Sequence, residues 1–181
     1  MKSGMENKIK IHANGLEQYP KAGIVLSNLA MILWIVFGTV ACWLLYPPAA
    51  WIYLAFAIIM IGVVLRKLLC VNCYYYDKWC HLGWGKLSAL LFPRGNINQF
   101  NVSAGQKLAS LTYGLLSAIP VVLIVISLFQ KFTGFKTAVL LLLLLVSFYS
   151  GTIRRKKTCA KCKMKLICPG CAVKNLNHFG K

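Results

Sequence analysis

Acidic residues are almost missing from this sequence. Glu6, Glu17 and Asp77 are its only carboxylate side chains, set against 21 Lys and Arg. Three scattered acids cannot build an Asp-rich magnesium site. Paired-carboxylate glycosidase chemistry is nearly excluded, because only Asp77 lies near other reactive groups. No acid falls within an apolar stretch, which excludes an intramembrane carboxylate relay. Histidine is equally scarce. His12 and His178 lie in polar termini and His81 in a middle loop, so no membrane haem with two His ligands is available. Charged residues make up only 13% of the chain, about half the share usual in a soluble domain. The hydrophobic share of 59% completes the composition of a membrane protein.

Crossing about 30 Å of hydrocarbon takes about 20 mainly apolar residues. Four stretches qualify: residues 22–46, closed by Pro47-Pro48; 49–69, with Arg66 and Lys67 near its end; 108–129, with Pro120 as a kink candidate; and 135–153. The first is too long for a signal-peptide core and has no small-residue cleavage site. The expected fold is an all-α membrane protein of two hairpins. Its parts are an N-terminal segment (1–21), a first hairpin (22–69), a Cys/aromatic loop (70–107), a second hairpin (108–153) and a basic Cys-rich tail (154–181). Of the 21 basic residues, only Lys131 and Lys136 lie on the side of the short hairpin turns. The positive-inside rule therefore predicts an inner or plasma membrane protein with both termini and the middle loop in the cytoplasm. Anionic lipids account for a basic cytoplasmic face. No recognition motif accompanies the charge, so no nucleic-acid partner is expected.

Eight cysteines occur, and all except Cys42 fall on the predicted cytoplasmic side. That compartment is reducing, which favours metal or redox chemistry over disulfides. The first group is Cys70, Cys73 and Cys80, followed by His81; the second is Cys159, Cys162, Cys168 and Cys171. Paired C-x-x-C turns in a short segment are a signature of tetrahedral thiolate coordination. All eight residues, His81 included, are candidate metal ligands.

The two groups also align. Gly62-x-x-x-Arg66-Lys67-x-x-Cys70-x-x-Cys73, then Cys80, parallels Gly151-x-x-x-Arg155-Lys156-x-x-Cys159-x-x-Cys162, then Cys168. Each follows an apolar hairpin, so the chain reads as two parallel repeats about an axis along the membrane normal. Cys171 completes four ligands in the second copy, and His81 is the natural fourth in the first. Two separate sites or one shared site both satisfy the pattern. Zinc is the expected metal, since structural zinc tolerates varied spacings. An iron–sulfur cluster is the alternative, although the bacterial ferredoxin spacing is absent.

Tyr74, Tyr75, Tyr76, Trp79 and Trp84 read as an interfacial aromatic belt, and residues 87–92 as an apolar patch in the interface. Within the loop, Asp77, Cys80 and His81 bring a carboxylate, a thiol and an imidazole together. This makes Cys80 a candidate nucleophile activated by His81. In topology the arrangement resembles protein S-acyltransferases, which have four spans and a Cys-rich loop between the second and third. Asp77-Lys78-Trp79-Cys80 stands where that family has Asp-His-His-Cys, so both family histidines are missing.

Abundant metal ligands and scarce acid–base residues point to a non-catalytic role. The expectation is an anchor, assembly or electron-transfer subunit that contacts membrane lipids and docks an acidic protein partner. Thiol-dependent acyl transfer through Cys80 and His81 is one alternative, and soft-metal binding or transport is another.

Overall fold

The computed structural model describes residues 11–100 and 104–173. The remaining ends of the N-terminal segment and basic tail, with His178, lie outside the described residues. Four helices are long and apolar enough to cross a membrane: Lys21–Trp43, Pro47–Asn72, Ala104–Gln130 and Gly134–Ala160. Among the described residues there is no strand, only an isolated pairing of Leu16 with Cys162.

The first span is helix α1 (Lys21–Trp43). The second begins as α2 (Pro47–Ile59), widens into a π-type turn at Met60–Val64, tightens again as α3 (Leu65–Leu69) and ends in a 3₁₀ turn at Cys70–Asn72. A short helix, α4 (Trp84–Leu91), follows in the middle loop. The third span is α5 (Ala104–Gln130). The fourth is α6 (Gly134–Phe148), a π-type turn at Tyr149–Arg154, and α7 (Arg155–Ala160).

Pro47 and Pro48 open α2 rather than close α1. A proline fits the first helical turn, where its absent N–H has no partner to lose. The second and fourth spans run past the expected ends at 69 and 153. Nothing there breaks a helix, and Arg66, Lys67 and Lys157 complement the negative C-terminal end of the helix dipole.

Helix α1 packs against α2, α5 and α6, while α5 also meets α3 and α6. Pro120 lies inside α5 and cannot donate to the carbonyl of Leu116 one turn earlier. The Tyr53 hydroxyl donates to that carbonyl at 3.0 Å, in a buried position. Tyr53 reaches it by crossing Gly38 of α1, where any Cβ would collide with the Tyr53 hydroxyl. On the turn side, Ser127 donates to Leu44 O at 3.0 Å. The Lys136 ammonium donates to the carbonyls of Ser127 (2.9 Å) and Lys131 (3.2 Å), which closes the end of α5. Side chains such as Val25, Ile52 and Leu145 project outward from the spans, as lipid contact requires.

At the opposite, basic end, α4 tucks Trp84, Gly85 and Ser88 inward and leaves Leu87, Leu90 and Leu91 exposed. A Cβ at Gly85 would collide with the carbonyls of Tyr75 and Lys78, so the loop closes tightly over this helix. The Arg66 guanidinium stacks 4.7 Å from the Trp84 ring centre.

Candidate metal centre

Each cysteine group grows from the end of a span. Cys70 follows directly on α3, and Cys159 lies in α7. The chain then folds into tight turns. Cys73 N–H donates to Cys70 O at 3.3 Å, and Cys162 N–H to Cys159 O at 3.2 Å. The third cysteines open further turns: Gly83 N–H donates to Cys80 O at 2.8 Å, and Cys171 N–H to Cys168 O at 3.1 Å.

Such turns aim backbone N–H groups at sulfur. The N–H of Tyr75 donates to the Cys73 sulfur, that of Met164 to Cys162 and that of Gly170 to Cys168. The N–H of Ala172 donates to the Cys159 sulfur. Bonds of this kind favour the charged thiolate, the form that binds metal.

Burial opposes them. It holds the Cys73 thiol well above the ordinary thiol range, with Cys70, Cys162 and Cys80 adding to the rise. Burial pushes Cys162 up to about 11, with Cys168 and Cys159 as further contributors. Cys168 is raised by burial and then by Cys171 and Cys159. With nothing bound these three sulfurs are protonated thiols at neutral pH, and a metal binding there would displace protons.

These interactions draw two groups of sulfur. Cys70, Cys73 and Cys80 are neighbours of one another in the loop. Cys159, Cys162, Cys168 and Cys171 neighbour one another in the tail. Cys73 and Cys162 meet at the junction. Among the described residues, however, no three His, Cys, Asp or Glu side chains converge closely enough to hold a metal ion as they stand. Each group carries an arginine at the same register: Arg66 beside Cys70 and Cys80, and Arg155 beside Cys159 and Cys168. Arg155 also donates to Gly170 O at 2.6 Å.

A small apolar core backs the sulfurs. Tyr75, Phe100 and Met164 are buried there, with Cys73, Cys80, Cys162 and Cys168 packed around them. Tyr75 is therefore core, not a headgroup-belt aromatic. Its hydroxyl donates to Leu16 O at 2.6 Å and accepts the Lys163 N–H at 3.1 Å, tying loop, tail and N-terminal segment together. Leu16 N–H donates to Lys161 O at 2.8 Å and His12 N–H to Lys163 O at 3.0 Å. Gly15 passes the tail so closely that a Cβ would lie 2.7 Å from Lys163 N. Tyr19 donates to Thr158 O at 3.0 Å and packs its ring on Tyr75. The sequence reading missed Tyr19, Tyr75 and Met164. The signal available for two of them was register, since Tyr75 and Met164 each stand two residues after aligned cysteines.

His81 and Asp77 point to different partners. The imidazole packs edge-on against Tyr19, with ring centres 6.1 Å apart. Burial, with the Arg154 cation beside it, lowers its pKa to about 4. Arg154 is itself fixed on α1 by bonds to Gly23 O (2.7 Å) and Ser27 Oγ (2.8 Å). Asp77 adopts a positive φ of 59° and forms an exposed 3.1 Å ion pair with Lys86. The carboxylate that a Cys80–His81 nucleophile would call on is thus engaged at the surface. Cys42 is buried among the spans, apart from both sulfur groups. Comparison with protein-family models, curated proteins and solved structures gave no match.

Proposed function

We propose that this is an integral membrane protein with a cysteine-ligated metal centre on its cytoplasmic face, serving as an anchor or assembly subunit of a larger complex. Zinc is the metal that the donor set suits best. The observation carrying the proposal is the equivalence of the two sulfur turns. Cys73 receives the Tyr75 N–H as Cys162 receives that of Met164, and Arg66 stands to Cys70 and Cys80 as Arg155 stands to Cys159 and Cys168.

Duplication accounts for this agreement. Gly62 and Gly151 fall in the two π-type turns, at the same distance before the aligned cysteines. A Cβ at either meets nothing within 4 Å, so packing does not demand glycine at these places. A four-thiolate zinc carries a double negative charge, and Arg66 and Arg155 are suited to offset it. In both groups the N–H donors act on the sulfurs as outer-shell partners of a metal do. Protonated thiols gain nothing from convergence, so a bound metal would be what holds these sulfurs together, displacing their protons. The basic face beyond the sulfurs suits an acidic soluble partner, and the excess of Lys and Arg orients it to the cytoplasm.

The test is metal analysis with an absorption spectrum on protein purified without oxygen from cells supplied with zinc and iron. The expected result is a colourless protein with stoichiometric zinc, reduced by Cys73→Ser and by Cys162→Ser. A brown protein with broad visible absorption would replace zinc by an iron–sulfur cluster and anchoring by electron transfer. A folded, metal-free protein would overturn the proposal.

A further inference from the structure

We propose that the middle loop carries a site for the headgroup of an anionic phospholipid, with α4 lying in the leaflet at the basic end and Lys78 and Arg94 receiving the lipid phosphate. This site is independent of any metal at the cysteines.

Contacts with the spans fix the depth of α4. Asn28 donates from its side-chain nitrogen to Leu82 O at 3.0 Å. Asn28 stands seven residues into α1, about 10 Å along it at the helical rise per residue. The Arg66 guanidinium, six residues short of the end of the second span, lies 4.7 Å from the Trp84 ring centre. Trp84 is buried in the same core as Trp34 and Leu116. The chain entering α4 therefore runs beside the end turns of the spans, not beyond them, at the level of lipid headgroups. From there α4 packs on α3 and the 3₁₀ turn that ends the second span. Leu87, Leu90 and Leu91 share its outer face by their helical spacing, and Leu90 is 83% exposed. Acyl chains at that depth cover such a face without a partner protein.

The headgroup site is built by the bonds that fasten α4 to the loop. Lys86 of α4 pairs with Asp77 at 3.1 Å, and Asp77 N–H donates to Gly85 O at 3.1 Å. At the other end of α4 the Tyr76 hydroxyl donates to Phe92 O at 2.9 Å. Beside this clamped segment lies a cavity of about 430 Å³, lined by Tyr74, Tyr76, Lys78 and Arg94 and also by Asp77, whose charge Lys86 matches. The Lys78 ammonium is 4.3 Å from the Tyr74 ring centre and donates to the Tyr74 hydroxyl at 3.3 Å. Lys163 is 6.0 Å from the same ring, and the Arg94 guanidinium 6.0 Å from the Tyr76 ring. Among the described residues Asp77–Lys86 is the only ion pair, so these three cations have no carboxylate partner. A phosphate supplies the missing anion. Arginine offers a fork of donors matched to phosphate oxygens, and lysine a point charge. Tyrosine rings are at home among headgroups. A lipid, unlike a free anion, also uses the leucine face next to the cavity.

The experiment uses full-length protein, freed of lipid in a neutral detergent and titrated with dioleoylphosphatidylglycerol or dioleoylphosphatidylcholine. Native mass spectrometry counts the bound lipid. One phosphatidylglycerol should bind about 25-fold tighter than phosphatidylcholine, about fivefold for each of two basic residues at an anionic surface. Lys78→Gln and Arg94→Gln should each weaken it about fivefold. Lys156→Gln removes the same charge from an exposed position of the fourth span and should leave binding unchanged. Equal losses from Arg94→Gln and Lys156→Gln would reduce the effect to diffuse charge and overturn the site. Equal binding of the two lipids would overturn it and leave the basic face to an acidic protein. Displacement of the lipid by millimolar inorganic phosphate would show a free-anion site and overturn the lipid assignment. The comparison of the two lipids needs no variant, and Arg94 is exposed, so a poorly folding substitution does not blunt the test.

Discussion

Removing the Tyr53 hydroxyl should destabilise the bundle, and removing Pro120 should cancel most of that loss. Pro120 leaves the Leu116 carbonyl without its helical donor, and Tyr53 supplies one at 3.0 Å. Tyr53→Phe leaves the carbonyl buried and unpaired among apolar helices. Leaving a buried acceptor unsatisfied costs about 1–3 kcal/mol. Interhelical hydrogen bonds in membrane proteins average about 0.6 and reach about 1.7 kcal/mol. A loss of about 1–2 kcal/mol follows from these two ranges. In a Pro120→Ala background, residue 120 regains its N–H and α5 can satisfy Leu116 internally. There Tyr53→Phe should cost less than about 0.5 kcal/mol, leaving a coupling near 1 kcal/mol. Reversible unfolding in mixed micelles of the four proteins in this cycle measures it. Equal losses from Tyr53→Phe in both backgrounds would refute the reasoning, because the hydroxyl would then act independently of the proline.

Gly38→Ala should destabilise by about 1–3 kcal/mol through overpacking, since the new methyl takes the place of the Tyr53 hydroxyl; unfolding in the same micelles measures the loss. Gly15→Ala should lift the N-terminal segment off the tail, because its Cβ would lie 2.7 Å from Lys163 N; limited proteolysis should then cut within residues 11–19 while the spans stay folded. Cysteines placed at Pro48 and Gly134 should react with impermeant thiol reagents from outside the cell and one at Asn14 should not; outside labelling of Asn14→Cys would reverse the proposed orientation. Arg155→Met should weaken metal retention in the tail more than Arg155→Lys, because both the charge beside Cys159 and Cys168 and the bond to Gly170 O are lost; chelator competition reads the difference.

The spans were legible because hydrocarbon demands long apolar runs and little else meets that demand. Their true ends were not, because Arg66-Lys67 and Arg155-Lys156 read as interfacial collars while remaining good helix formers at a favourable helix end. Helix α4 escaped notice for a related reason. Its inward face carries Trp84, Gly85 and Ser88 and its outward face Leu87, Leu90 and Leu91, the reverse of the soluble pattern. Of the cytoplasmic unit, the C-x-x-C turns were visible as spacing. The docking of Leu16 on Cys162 was not, since a lone backbone pairing leaves no periodic trace. In sequence Tyr75 is indistinguishable from a belt aromatic, because it stands between Tyr74 and Tyr76 where the second span exits; burial to 3% exposure separates it from these half-buried neighbours.

The same physics explains why the cysteine turns sit where two spans end. A cysteine turn of a dozen residues has no core of its own, and burial raises the cost of its thiolates. Rooting Cys70 and Cys159 on helices held by the whole bundle fixes the starting point of each turn without relying on the turn's own stability. The residual cost is then met by short-range means: N–H groups aimed at sulfur, an arginine beside each group, and the Tyr75–Phe100–Met164 cluster behind them. In such an arrangement the membrane helices set where the sulfurs start, and the loops set how many converge.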